Sequence, residues 1–275
     1  MIIEPARAKL NLALHVRARR PDGYHELETL FAFVEAGDSV RIEAADVPAF
    51  RMRGRFATAL AEEADNLVTR AAARFADIWG GGPWAITLDK ELPVASGVGG
   101  GSADAAATLR GLARIQGVAL DDPVLFACAD ALGSDVPACL LGVTALGKGR
   151  GEQLDPIKGL SGMPVLLVNP GVGVSTAEVF RRWDCVDRGP IGAGPVLDVA
   201  LAGRNDLEAP AREIAPVIGD VVAALAAQPG VILARMSGSG ATCFALFDSD
   251  VALADAARAI GSAHPGWWRC PTHLI

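Results

Sequence analysis

Apolar and polar residues alternate strictly near the start of the chain. Ala8, Leu10, Leu12, Leu14 and Val16 fall on one face of an extended segment, with Lys9, Asn11 and His15 on the other. This period of two predicts a strand over 8–16. Pro21-Asp22-Gly23 follows as a turn, and residues 27–34 and 39–44 read as further strands. Asn66 stands as a cap before a helical run from Leu67 to Trp79, which stops at Gly80-Gly81-Gly82-Pro83. The pattern then predicts strands over 84–88, 143–146, 165–168, 231–234 and 242–247. It predicts helices over 102–115, 123–132, 175–183, 214–227 and 251–261. Strands and helices mix without a steady βαβ alternation, which favours an α+β fold over a doubly wound sheet. Residues 147–162 are polar and glycine-rich and mark the best boundary, giving domains 1–155 and 156–275.

Composition narrows the classes of function. With 275 residues and 51% apolar content, the chain can bury a core and is not disordered. Its 25 Lys+Arg against 32 Asp+Glu leave a net charge of −7. That balance argues against a nucleic-acid partner, yet it permits a local pocket for a small phosphorylated ligand. The five Cys (128, 139, 185, 243 and 270) form no Cys-x-x-Cys, and the four His complete no zinc spacing. No metal-ligating residue is therefore expected, and a reducing cytoplasm is the natural location. The first residues lack a basic-then-apolar leader. The longest uncharged stretch, 159–177, is interrupted by Pro164 and Pro170, so no membrane partner is expected. Nothing in the sequence sets an oligomeric state.

The strongest local signal is Pro93-Val94-Ala95-Ser96-Gly97-Val98-Gly99-Gly100-Gly101-Ser102-Ala103-Asp104. Four glycines in five positions leave backbone N–H groups unobstructed, able to curve into a nest for oxyanions. Ser102 then caps an alanine-rich helix whose N-terminus points at the same place. No Gly-Lys-Ser/Thr follows, so this is not a Walker A loop, and the spacing misses the dinucleotide fingerprint. A plain linker fits poorly, because linkers rarely run straight into a capped helix. Asp104, in the first turn, suits the helix dipole.

Other residues carry two readings each. Lys9 is either a solvent-facing strand lysine or a cation at a site. Asp135, in Gly133-Ser134-Asp135-Val136-Pro137, is either turn chemistry or a base for an acceptor hydroxyl. Tyr24-His25 is either a packed hairpin tip or a place for a base to stack. Met236-Ser237-Gly238-Ser239-Gly240-Ala241 is either a tight connection or a second close approach to substrate.

Taken together, these residues resemble the GHMP-superfamily small-molecule kinases over essentially the whole chain. The segment 93–106 is similar to the superfamily's phosphate loop, and 236–241 to its C-terminal glycine motif. Ala8-Lys9-Leu10-Asn11-Leu12, Pro21-Asp22-Gly23-Tyr24-His25-Glu26-Leu27 and Gly133–Pro137 narrow the resemblance. Ser175-Thr176-Ala177, Phe180 and Asn205-Asp206-Leu207-Glu208 add to it. These elements resemble a branch whose acceptor is a cytidine-diphosphate-linked polyol.

The resemblance implies a two-domain α+β fold with its site in the cleft between domains, using ATP and Mg2+. It implies Asp135 as general base and Lys9 as the cation at the reacting centre. Gly97 to Ser102, flanked by Pro93, Val94, Ala95, Ser96 and Ala103, would hold the ATP phosphates. Asn66 and Lys90 would lie near adenine. Tyr24 and Phe180 would sandwich cytosine while His25 hydrogen-bonds it. Asn11 and Thr176 would contact the polyol-diphosphate portion. Ala103 departs from the pattern, where a second Ser is common, which touches one phosphate or metal contact. A GHMP kinase for a simpler alcohol would make Tyr24, His25 and Phe180 incidental. A binding protein without turnover would sit better with a missing base or lysine, and both are present.

Overall fold

A computed structural model describes residues 1–60, 66–94 and 96–275. Ala95, expected in the phosphate loop, lies outside the described residues. The elements run β1 (Ile2–Arg19), β2 (His25–Ala44), β3 (Ala49–Arg53), α1 (Leu67–Trp79), β4 (Trp84–Asp89), α2 (Gly100–Gln116), α3 (Pro123–Asp130) and α4 (Val136–Leu141). They continue with β5 (Ala145–Gly149), β6 (Gln153–Pro156), β7 (Pro164–Asn169), α5 (Thr176–Arg181), α6 (Val196–Ala202) and α7 (Glu208–Ile214). The last are α8 (Val217–Ala226), β8 (Val231–Met236), β9 (Cys243–Phe247), α9 (Asp250–Ala263) and β10 (Trp268–His273). This is an α+β order, as the pattern predicts.

The chain forms two compact units. The first comprises Met1–Ala8, Gly37–Val94 and Gly99–Gly142. In it β4 pairs antiparallel with Ser39–Ala44 of β2 and parallel with β3. The helix α2 packs on this sheet at Gly111, where an added Cβ would lie 2.7 Å from Ile42 Cδ1. Phe75 of α1 meets Trp84 of β4 edge-on, at 6.4 Å between ring centroids. Asn66 caps α1 as its position predicts, with Oδ1 accepting from Val68 N at 2.8 Å. Asn66→Ala is expected to cost about 1 kcal/mol of stability, the usual worth of such a cap, read from the denaturant midpoint.

The second unit comprises Lys9–Ala36, Ala95–Val98 and Val143–Ile275. Here β5 pairs antiparallel with Leu27–Phe31 of β2, and β6 pairs with β5. A separate antiparallel sheet runs β10-β7-β9-β8. Its apolar face, including Leu166, Val168, Ala245 and Phe247, packs with Ile218, Val221 and Leu225 of α8 and Leu253, Ala256 and Ile260 of α9.

Several expectations are corrected. Residues 27–34 and 39–44 belong to one continuous strand. Residues 8–16 are buried on both faces, so Lys9, Asn11 and His15 do not face solvent. Residues 147–162, read as polar and glycine-rich, carry most of β5 and all of β6, two strands that the pattern does not predict there. The helix expected over 214–227 is split at Pro216 into the end of α7 and α8, proline being suited to a helix start. The short helices α4 and α6 escape the pattern because six and seven residues are too few for a helical period to show, and each follows turn or loop residues. β10 escapes a strand pattern because it contains Pro271, tolerated because β10 is an edge strand.

Candidate active site

In the second unit, two glycine-rich turns meet the first strand. The N–H of Lys9 donates to Val98 O at 3.0 Å. The Lys9 ammonium, on a residue only 4% exposed, donates to Asn11 Oδ1 at 2.7 Å. Asn11 in turn donates through Nδ2 to Thr29 Oγ1 at 2.8 Å, and Thr29 donates to Ala13 O at 2.9 Å. The backbone N–H of Asn11 reaches Ser237 Oγ at 3.2 Å, and Ser237 donates to Gly97 O at 3.1 Å. Lys9, Asn11, Thr29 and Ser237 are thus linked in one hydrogen-bonded relay, which fixes the lysine.

The turn between β8 and β9 comes close because it lacks side chains. At Gly238 (φ +56) an added Cβ would stand 2.9 Å from Gly97 O and 3.5 Å from Lys9 Nζ. At Gly97 (φ +78) it would stand 2.5 Å from Ser237 O. The turn at 236–241 thus makes a close approach, to Gly97 and Lys9. Asn205 holds that turn by donating to Met236 O and Gly238 O, both at 2.8 Å. Thr176, exposed at the start of α5, shares a 2.8 Å hydrogen bond with Ser239.

An aromatic group lies in the same unit. The His25 ring stands 4.8 Å from Phe180 and 5.8 Å, edge-on, from Trp183. Burial, and then the charge of Arg19, hold the His25 pKa below the ordinary imidazole value, so the ring is neutral at pH 7. Its Nε2 and the Nε1 of Trp183 are buried without a hydrogen-bond partner. A buried polar atom left unpaired is costly and suits a ligand contact. Tyr24 is 52% exposed at the adjoining hairpin tip.

In the first unit, α2 starts at Gly100, two residues before the expected Ser102 cap. Gly99 is the N-cap, in the left-handed conformation at φ +66, with its carbonyl accepting from Ala103 N at 2.8 Å. Only glycine takes that conformation without cost, so the cap falls there and Ser102 sits inside the first turn. Asp104 is also corrected. It lies one turn in, 3% exposed, facing the interior.

Its Oδ2 accepts from Lys90 Nζ at 2.7 Å, and Lys90 also donates to Asp38 Oδ2 at 2.5 Å. Asp38 Oδ1 accepts from Glu91 N at 2.6 Å and Leu92 N at 2.8 Å. Burial pushes the Asp104 carboxyl up to about 7 against the pull of Lys90, and Asp38 adds to the rise. Burial works to lower the Lys90 pKa, but the two carboxylates outweigh it and raise it.

An added Cβ at Gly100 would lie 3.1 Å from this ammonium. Gly100→Val is therefore expected to displace Lys90 and deform the helix start. ATP affinity should fall roughly tenfold, about 1.4 kcal/mol, in calorimetry.

Asp135 is the N-cap residue of α4, half-buried, and its side chain makes no capping bond. Pro93, Ser96, Val98 and Ala103 are buried, whereas Val94, Gly97, Gly99, Gly100 and Ser102 are half-buried and Gly101 is exposed. The sequence reading missed Asp38, Thr29 and Trp183, whose importance arises only from their neighbours. It flagged Ser237 and Ser239 only through the glycines around them.

The segments that carry the glycine loop and the second glycine turn match known families. The model "GHMP kinases N terminal domain" matches residues 66–143, and "GHMP kinases C terminal" matches 198–266. The chain belongs to the GHMP kinases. This makes it an ATP-dependent small-molecule kinase. Among GHMP kinases it is 57% identical to the 4-diphosphocytidyl-2-C-methyl-D-erythritol kinase of Rhizorhabdus wittichii, over 98% of this chain and 94% of that protein. It is 50% identical to the enzyme of that name from Novosphingobium aromaticivorans, over 96% and 90%. A crystal structure of 4-(cytidine 5'-diphospho)-2C-methyl-D-erythritol kinase superposes with a TM-score of 0.78 at 33% identity, covering 99% of each chain. A homoserine kinase from Cytophaga hutchinsonii, at 18% identity and a TM-score of 0.67, shares the GHMP kinase fold.

Proposed function

We propose that this chain transfers the γ-phosphoryl group of ATP to the 2-hydroxyl of 4-diphosphocytidyl-2-C-methyl-D-erythritol, in the methylerythritol phosphate route to isopentenyl diphosphate. The observation that carries the reading is the buried, unpaired His25 Nε2 beside Phe180, a neutral polar contact among rings that suits a base edge. The high identity to relatives of that name supports it. Residues 1–155 and 156–275 would serve as the N- and C-terminal kinase domains. The matched family segments lie on either side of that division.

Each residue then has a task. Asp135 takes the proton of the acceptor hydroxyl as its oxygen forms the new bond to phosphorus. The bond from that phosphorus to the bridging oxygen breaks, and ADP leaves with the electron pair. Lys9, held by Asn11, meets the charge that develops on the reacting oxygens. Asn11 and Thr176 contact the polyol diphosphate. Gly97 to Ser102 hold the ATP phosphates, with Pro93 to Ser96 and Ala103 shaping the loop. Asn66 and Lys90 serve the adenine side, Lys90 while anchored by its two carboxylates.

Among the described residues no group of three or more His, Cys, Asp or Glu could hold a metal ion. Mg2+ would enter with the nucleotide, and Gly97 to Ser102 would hold the phosphates that carry it. When bound, it neutralises phosphate charge. Among the described residues no helix is long and apolar enough to cross a membrane. All five cysteines are free, the state that a reducing cytoplasm would keep.

Turnover of the cytidine compound with MgATP tests this function. Phosphorylation of methylerythritol phosphate lacking cytidine at equal efficiency would overturn it. A uridine analogue is expected to react with roughly 10- to 100-fold lower kcat/KM, because an unpaired polar contact costs about 1–3 kcal/mol. Competition kinetics between the two nucleotides measures that ratio directly.

A further inference from the structure

Tyr24 is an exposed aromatic ring on a fixed backbone. Its N–H donates to Asp22 Oδ1 at 3.1 Å, and its carbonyl accepts from Arg20 N at 2.8 Å. The backbone is thus set, while the ring stands half in water. Over that ring lies the guanidinium of Arg150, 5.0 Å from the centroid and within the range of a cation–π contact.

The strand register explains why these two residues meet. β5 runs antiparallel to β2 with Gly149 opposite Leu27. Arg150, the next residue, therefore emerges beside the segment that precedes Leu27. The turn that carries it is tightly built. Gly149 has φ +73 and Gly151 has φ +111. The N–H of Arg150 donates to Glu152 Oε2 at 2.6 Å, and its Nε lies 4.0 Å from the same carboxylate. A Cβ at Gly149 would fall 2.7 Å from Glu152 Oε1, so a side chain there would have to displace the carboxylate that Arg150 N–H contacts. The Arg150 side chain is only 21% exposed. An arginine anchored at its backbone, with its guanidinium beside Glu152, offers a plane to the ring.

We propose that Arg150 is a positioning residue for Tyr24, holding its ring so that the opposite face receives the acceptor's base. The inference rests on the reading of Tyr24 as a base-stacking ring. A ring free to turn must be ordered when a base stacks on it, and that ordering subtracts from affinity. The guanidinium covers one face, orders the ring in advance and leaves the other face for the ligand. An ammonium carries the same charge but has no plane to stack. Arg150→Lys should therefore restore only part of what Arg150→Gln loses.

Tyr24 is the chain's only tyrosine, so a tyrosine-selective ring label reports on it alone. The probe ligand is cytidine 5'-diphosphate, titrated into the full-length protein. In the unaltered protein the labelled ring signal should shift on titration. Arg150→Gln should shift that signal before ligand is added and raise the Kd of the probe about fivefold, the scale of a partly exposed cation–π contact. The acceptor KM should rise more than kcat falls, with Arg150→Lys intermediate in both. In a Tyr24→Ala background, Arg150→Gln should add little, because the effect passes through the ring.

An equal loss in that background would overturn the proposal, as would an unchanged Kd in Arg150→Gln when the ring still reports the ligand. A ring signal unmoved by cytidine diphosphate in the unaltered protein would instead remove the stacking reading, and the proposal with it.

Discussion

Asp135→Asn is expected to lower turnover by about 100-fold or more at saturating substrates, the scale of a positioned acid–base group. The side chain makes no capping bond to α4, and Asn keeps its size. The turn entering the helix is held by backbone bonds, Val136 N to Gly133 O at 3.0 Å and Cys139 N to Asp135 O at 3.1 Å. The fold should therefore survive, and the loss should fall on the chemical step. Steady-state kcat, with a thermal melt as control, checks this. A variant that melts normally and turns over like the unaltered enzyme would show that another group takes the proton.

Lys90→Met should act on the fold itself, with a loss of about 3–5 kcal/mol, the usual result of removing one partner from a buried charge pair. Lys90 is 2% exposed and serves two carboxylates at once. Asp38 keeps its two backbone donors, but Asp104 Oδ1 is already without a hydrogen-bond partner and Oδ2 would lose the bond from Lys90. Denaturant unfolding measures the difference.

The same cluster gives a signed pH dependence. The folded Asp104 pKa of about 7 stands above the ordinary carboxylate value of 3.8, so the folded state binds that proton more tightly. Its contribution to stability is complete below 3.8 and is lost as pH rises towards 7. Asp104→Asn mimics the protonated form, so it should gain on the unaltered protein across that window and level off above it. A constant difference between the two from pH 4 to 8 would rule out the raised pKa.

Much of this molecule is legible from residue order. The Asn66 cap and the helix to Trp79 follow from a polar residue before an amphipathic run and glycines after it. The strand from 84 is plain because Trp84, Ile86 and Leu88 share a face. The glycine loop announces anion binding because four glycines leave N–H groups bare. Other features were hidden because their cause is not local. The start of α2 moved to Gly100 because Gly99 accepts a left-handed backbone more readily than a serine cap competes for the turn. β10 has a proline in its middle and forms only because β7 offers it an edge.

The largest gap concerns charge. The alternation around Lys9 is equally that of an exposed strand and a buried one, because period two states which residues share a face and not what covers each face. The carboxylates that hold Lys90 come from positions 38 and 104, distant in sequence and unremarkable in their own windows. Local pattern and the motifs determined the class of fold and the kinase family and singled out the glycine loop, since propensities, caps and bare N–H groups act over a few residues. Packing decided which polar groups are buried and with whom they pair. Desolvation and Coulomb energies depend on distance in space, and a linear order of residues does not contain that distance.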